Sequence, residues 1–134
     1  MKIVGISKVV SNQNPAEIMS FWEEFFKTNI TDLIPNQTSV GVFCLYTDYQ
    51  GDYREPYKMI IGHEVGSTAP TPEGLESVEF NFDNHTHYSV HGELPKVVME
   101  KWHEIWNNGL ARAYKLDFQR HNADGSVDIF VEYK

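Results

Sequence analysis

The feature that most constrains this chain is one helix pattern written twice. Pro95 to Trp106 reads PKVVMEKWHEIW, and eighty positions earlier Pro15 to Phe26 reads PAEIMSFWEEFF. Pro15 matches Pro95, Ile18 Val98, Met19 Met99, Trp22 Trp102, Glu24 Glu104, Phe25 Ile105 and Phe26 Trp106. At roughly 100° per residue, Val98, Met99, Trp102, Ile105 and Trp106 share an arc of about 120°, the stripe of a helix with one buried face. Glu104 points the opposite way and reads as solvated, because an isolated carboxylate is costly to bury without a partner. A stripe used twice calls for two sheet surfaces to cover.

Those surfaces are found along the chain in order. Residues 2–10 favour a strand by their β-branched content, and Asn12 to Pro15 then supplies a cap and a first-turn proline for a helix to about Lys27. Residues 31–39, with Pro35 and Asn36, read as a connection, followed by strands at 40–47 and 56–65. The turn-rich STAPTPEG after Gly66 is a junction, too short for a flexible linker. Residues 78–82 and 86–91 read as one strand broken near Asp83 and Asn84. Gly92 and Pro95 open the second helix, and Asn107 to Gly109 end it. Strands at 114–121 and 127–133 follow, joined through Asp124-Gly125, a strong hairpin signal.

The order is strand, helix, strand, strand, and then the same again. The expected fold class is α+β: tandem pseudo-twofold βαββ repeats forming an antiparallel sheet with two long helices on one face. Residues 1–134 make a single domain with halves at about 1–66 and 75–134. Along the last hairpin, Leu116, Phe118, Ile129 and Val131 are expected under a helix. Asp117, Gln119, His121, Asp128 and Phe130 take the other parity, too polar for a core and suited to a small-molecule cleft near the pseudo-twofold seam.

Charge and motifs exclude several functions. Eleven Lys plus Arg stand against 19 Asp plus Glu, a net charge of −8 with no basic run, so the phosphate neutralisation behind nucleic-acid binding is missing. No apolar segment is long enough to span a membrane, and the interrupted MKIVGISKVV is no signal peptide. The lone Cys44 sits in the apolar run GVFCLY as a buried thiol and fits a reducing cytoplasm. His85, His87 and His91 share strand parity, but no cysteine or carboxylate follows at ligand spacing, and no metal or other cofactor is expected. Neither a nucleophile elbow nor a glycine-rich phosphate loop is present. Between the second and third strands, YTDYQGDYREPY places Tyr46, Tyr49, Tyr53 and Tyr57 beside Asp48 and Asp52. These tyrosines either cage a cation with their ring faces, with Asp48 and Asp52 adding charge, or staple a hairpin.

The stretches YTDYQGDYREPY, MIIGHEV, PEGL, HGELPKVVMEKWHEIW, ARAYKLDFQRH and VDIFVEY, in this order and spacing, resemble the GyrI-like (AraC-type) effector-binding domains, in particular the stand-alone integron-associated type. The resemblance covers nearly the whole chain. It implies the tandem βαββ fold and an aromatic pocket for flat, lipophilic, often cationic compounds, without the DNA-binding domain of the multidrug-sensing regulators. It also implies a buried glutamate facing a cationic ligand, where this chain has Gln119 in Asp117-Phe118-Gln119-Arg120-His121. An amide hydrogen-bonds but cannot offset a buried positive charge, so cation binding would fall to Asp128 or Asp117. The candidate ligand-binding residues are Tyr46, Tyr49, Trp102, Trp106, Gln119, Asp128 and Phe130, with no catalytic residue assigned. The expectation is a cytoplasmic small-molecule-binding protein, monomeric or weakly dimeric. Two other classes stay open: a hydrolase of electrophilic small molecules, and a protein-binding module of the gyrase-inhibitor type with a protein partner.

Overall fold

The computed structural model describes residues 1–134. Its elements are β1 (Lys2–Val10), α1 (Pro15–Lys27), α2 (Ile30–Leu33), β2 (Val42–Thr47), β3 (Tyr57–Val65), β4 (Glu76–Glu79), β5 (His85–Val90), α3 (Lys96–Trp106), β6 (Leu116–His121) and β7 (Val127–Glu132). The architecture is α+β: three helices and one seven-stranded antiparallel sheet in the order β4-β1-β3-β2-β6-β7-β5. None of the helices is long and apolar enough to cross a membrane.

The helices α1 and α3 form where the sequence periodicity places them. Pro15 opens α1 in the first turn, where its missing N–H is no loss, and Glu17 and Lys27 complement the helix dipole at either end. The α1 stripe buries Phe21 and Phe25 against β1, β2 and β3 in a cluster with Val4, Cys44, Met59 and Ile61. The α3 stripe buries Val98, Trp102 and Ile105 against Val127, Ile129 and Val131 of β7 and Val90 of β5. Between the two clusters lie β2 and β6, paired with Cys44 opposite Gln119. Where β1 meets β3, Gly5 faces Gly62, and a Cβ at either would collide with the opposite backbone, so both positions require glycine.

Three expectations are corrected. The connection after α1 contains the short helix α2, and the segment read as one broken strand is two strands at opposite edges of the sheet, β4 beside β1 and β5 beside β7. The link between them crosses the face away from the helices. Phe80 exchanges backbone hydrogen bonds with Met1, and the Phe82 ring packs on Phe118 and Phe130 at 5.8 and 5.7 Å between centroids.

The third correction concerns side-chain parity in β6. Pairing of Phe118 with Phe130 and Gln119 with Ile129 directs Phe118, Phe130 and Asp128 to the far face, whereas Asp117, Gln119 and His121 face the helices with Ile129 and Val131. The reason is the ladder itself, since directly paired residues point to the same side. Apolar residues at both parities are accommodated because the sheet is buried on both faces. The far-face core holds Ile3, Phe43, Leu45, Ile60 and Phe118, under Phe80 and beside Phe130.

Candidate functional site

Neither α1 nor α3 covers the β2–β6 seam, and the gap between them is a cleft of about 660 Å³. Its helix walls carry Ile18, Met19, Trp22 and Phe26 of α1 and Val98, Met99, Trp102 and Trp106 of α3, the two copies of the repeated stripe. Val42, Tyr46, Gln119 and His121 make the floor, and Tyr49, Tyr53 and Tyr57 of the β2–β3 hairpin close one end. All three tryptophans of the chain therefore line one space.

The floor is organised by a polar chain. Trp102 Nε1 donates to Gln119 Oε1 at 3.0 Å, and the Gln119 amide donates to His121 Nε2 at 2.7 Å. Indole nitrogen can only donate, so the amide oxygen faces Trp102 and the NH₂ faces the histidine. His121 must then accept, as a neutral ring, and burial depresses it to about 4. Two edge-on contacts flank this chain: Trp22 against His121 at 5.0 Å and Trp102 against Tyr46 at 5.4 Å between ring centroids.

The tyrosines both line and lock the site. Tyr53 stacks on Trp106 at 4.8 Å with the planes 6° apart, tying the hairpin tip to α3. Tyr57 donates to Asn12 Oδ1 at 2.7 Å, while Asn12 donates to the Tyr53 carbonyl. Tyr49 donates to Asp117 Oδ2 at 2.7 Å, and burial, with the Asp117 charge beside it, pushes its hydroxyl pKa well up. Burial does the same to Tyr46, and to the Cys44 thiol beneath it, pushed up to about 12. These groups stay neutral and serve as apolar walls and hydrogen-bond donors.

Charge is sparse in the cleft. No aspartate or glutamate is among its lining residues. Asp117 lies buried behind it, bound by Arg112 at 2.5 Å, by Tyr49 and by the Glu132 N–H at 3.0 Å. Asp52 of the hairpin is held by exposed Arg54 and does not face the cleft.

Of the residues singled out from the sequence, the fold brings Tyr46, Tyr49, Trp102, Trp106 and Gln119 together in this cleft. Asp128 and Phe130 are on the far face. Phe130 stacks on Phe118 at 4.5 Å and on His87 at 4.7 Å, and Asp128 binds His87, Arg120 and Asn122. Burial works against the Asp128 charge, but those three partners together hold its carboxyl below the usual range. His85 is likewise engaged, on the Leu116 carbonyl. Sequence reasoning put His121 on the face expected to carry a cleft without naming it a ligand contact, and did not select Trp22 or Arg112. Trp22 was available as the counterpart of Trp102. Arg112 carried no signal, since it sits in an irregular stretch with no periodicity.

A family model described as integron-associated effector binding protein, Cass2, matches residues 1–132. Comparison with curated proteins finds no match. Among solved structures, an integron cassette protein from the mobile metagenome of Vibrio cholerae superposes with a TM-score of 0.78 at 22% identity, over 100% of this chain and 90% of that one. A protein solved bound to tetraphenylphosphonium gives 0.75 at 16% identity, over 100% and 88%. A Staphylococcus aureus MU50 protein, described as a bacterial transcription regulation protein, gives 0.65 at 17% identity, over 100% and 92%. At these identities the structural likenesses speak for the fold.

Proposed function

Because this chain belongs to the family of integron-associated effector-binding proteins, we propose that the cleft between α1 and α3 is its effector site and that it takes an aromatic small molecule. The observation that carries this reading is the convergence of both tryptophan stripes and four tyrosines on one space of about 660 Å³, the size of a drug-like ligand pocket. Eight Trp, Tyr and Phe side chains supply area, and the Trp102–Gln119–His121 chain supplies direction. The related fold that holds tetraphenylphosphonium supports an aromatic ligand. For this chain we assign a neutral one, because Gln119 stands on the floor, no carboxylate lines the cleft, and Asp117 behind it is already bound by Arg112.

Titration followed by tryptophan fluorescence tests the site directly, since every tryptophan lines it. Polycyclic aromatics should quench the emission saturably and raise the melting temperature by mass action. An unchanged spectrum and melting temperature across neutral and cationic aromatics would sink the proposal and favour a partner-binding module.

The same reading includes one domain built from two βαββ units about a pseudo-twofold axis, with halves at about 1–66 and 75–134. Supporting it, the six strands beyond edge strand β4 run β1-β3-β2 and then β6-β7-β5, and Trp22 on His121 mirrors Trp102 on Tyr46. It further includes a monomer or weak dimer in the cytoplasm, in keeping with the buried free thiol of Cys44.

A further inference from the structure

One group on the cleft wall has donors that the protein leaves unanswered. Arg112, between α3 and β6, has a side chain only 4% exposed. A guanidinium offers five N–H donors in a planar fork. Here Nη2 alone is used, on Asp117 at 2.5 Å and on the Tyr49 hydroxyl at 3.4 Å, while Nε is buried with no partner. Buried polar groups in native structures are nearly all hydrogen-bonded, to protein, water or ligand, so an unanswered donor on a side chain that lines a cleft can take an acceptor from a ligand there. Arg112 lines the cleft, its Cζ 5.6 Å from the centre of the Trp102 ring and 4.5 Å from that of Tyr114. An aromatic body seated against Trp102 would lie beside the fork.

The charge of the surroundings selects the ligand. Arg112 and Asp117 form a buried ion pair, and Asp117 also takes the Tyr49 hydroxyl and the Glu132 N–H. The positive charge is thus already offset. A second anion would enter without a counter-charge of its own, in a chain of net charge −8, and a cation would meet the guanidinium with no carboxylate lining the cleft. We propose that the effector is a neutral aromatic molecule with a carbonyl-type oxygen that accepts from the unused Arg112 donors. This rests on the cleft being the effector site, and it adds the polar group by which that site orients its ligand.

Benzophenone and diphenylmethane test it, since they share two rings and differ by a carbonyl in place of a methylene. Calorimetry on the full chain should show benzophenone binding at least about tenfold more tightly, the effect of one hydrogen bond to a charged donor. The ¹⁵N–H resonance of Arg112 Nε should shift with benzophenone and not with diphenylmethane. Equal affinities with an unmoved resonance would overturn the proposal while leaving the cleft as a binding site. Tighter binding of 2-benzoylbenzoate or tetraphenylphosphonium than of benzophenone would overturn the neutral class. Failure of all four probes to bind would overturn this inference and the effector site together. Arg112→Met alone strands a buried carboxylate and endangers folding, so the variant is Arg112→Met with Asp117→Asn. It should abolish the advantage of benzophenone over diphenylmethane, and an advantage that survives in it overturns the assignment to Arg112.

Discussion

At the scale of single residues, the cleft's preference turns on Gln119. Its oxygen answers Trp102 and its NH₂ answers His121. Gln119→Glu keeps the acceptor and removes the donor, so the neutral His121 ring must carry its proton on Nε2 to donate to the carboxylate, whose charge should raise the ring's pKa above about 4. A carboxylate within a few ångströms of a cation contributes on the order of 1–4 kcal/mol between bulk-water and protein-surface dielectrics, so tetraphenylphosphonium affinity should rise roughly tenfold or more. Tight binding by the wild type that Gln119→Glu leaves unchanged would refute this account. His121 also sets a pH dependence. Its folded pKa of about 4 lies below the usual 6.5, so the unfolded chain binds more protons between those values. Its contribution is complete above pH about 6.5 and is lost as pH falls toward 4, on the order of 2–3 kcal/mol. His63, depressed by burial, acts in the same direction. Urea unfolding at pH 7 and pH 4.5, with a proton NMR titration of the histidine rings, checks this. Equal stability at the two pH values, or a His121 ring titrating near 6.5, would contradict it.

At the scale of elements, the tip of the β2–β3 hairpin is an end wall tied to α3 by the Tyr53–Trp106 stack. Tyr53→Ala should cost roughly 0.5–1.5 kcal/mol of stability through loss of the Trp106 stack and should speed ligand dissociation, seen in stopped-flow tryptophan fluorescence. An unchanged off-rate would place the hairpin outside the binding site. Strand β6 serves two cores at once. Phe118→Ala, on the far face under Phe80 and Phe82, should destabilise by roughly 3–5 kcal/mol while leaving ligand affinity within about twofold. A large affinity loss in the folded variant would show that the two faces are coupled. This strand is also where the sequence was hardest to read. Leu116-Asp117-Phe118-Gln119-Arg120-His121 alternates cleanly, and the expectation put its apolar set toward a helix. The opposite orientation holds because the link through Phe80 and Phe82 supplies an apolar surface on the far side, and nothing local to β6 announces it.

At the scale of the whole molecule, the acidic balance predicts that the protein passes through a DNA column at about 0.15 M salt, where exposed charges are screened beyond about 8 Å. Retention under those conditions would require a basic surface that the composition does not suggest. The helices α1 and α3, the side of each that faces the sheet and most strand positions were legible in the sequence, because periods of 3.6 and 2 follow from backbone geometry and each segment carries its own. Tyr46, Tyr49, Trp102, Trp106 and Gln119 were also named from sequence, the tyrosines and Gln119 by their place in the family pattern, whereas the repeated stripe by itself reads the tryptophans as part of a buried face. The tertiary structure alone decided which face of β6 looks into the cleft, sent β4 and β5 to opposite edges, and moved Asp128 and Phe130 away from the site. It also brought Arg112 and Asp117 together behind the tyrosines. Register and long-range pairing depend on what covers each face of the sheet, and that covering comes from residues remote in the chain.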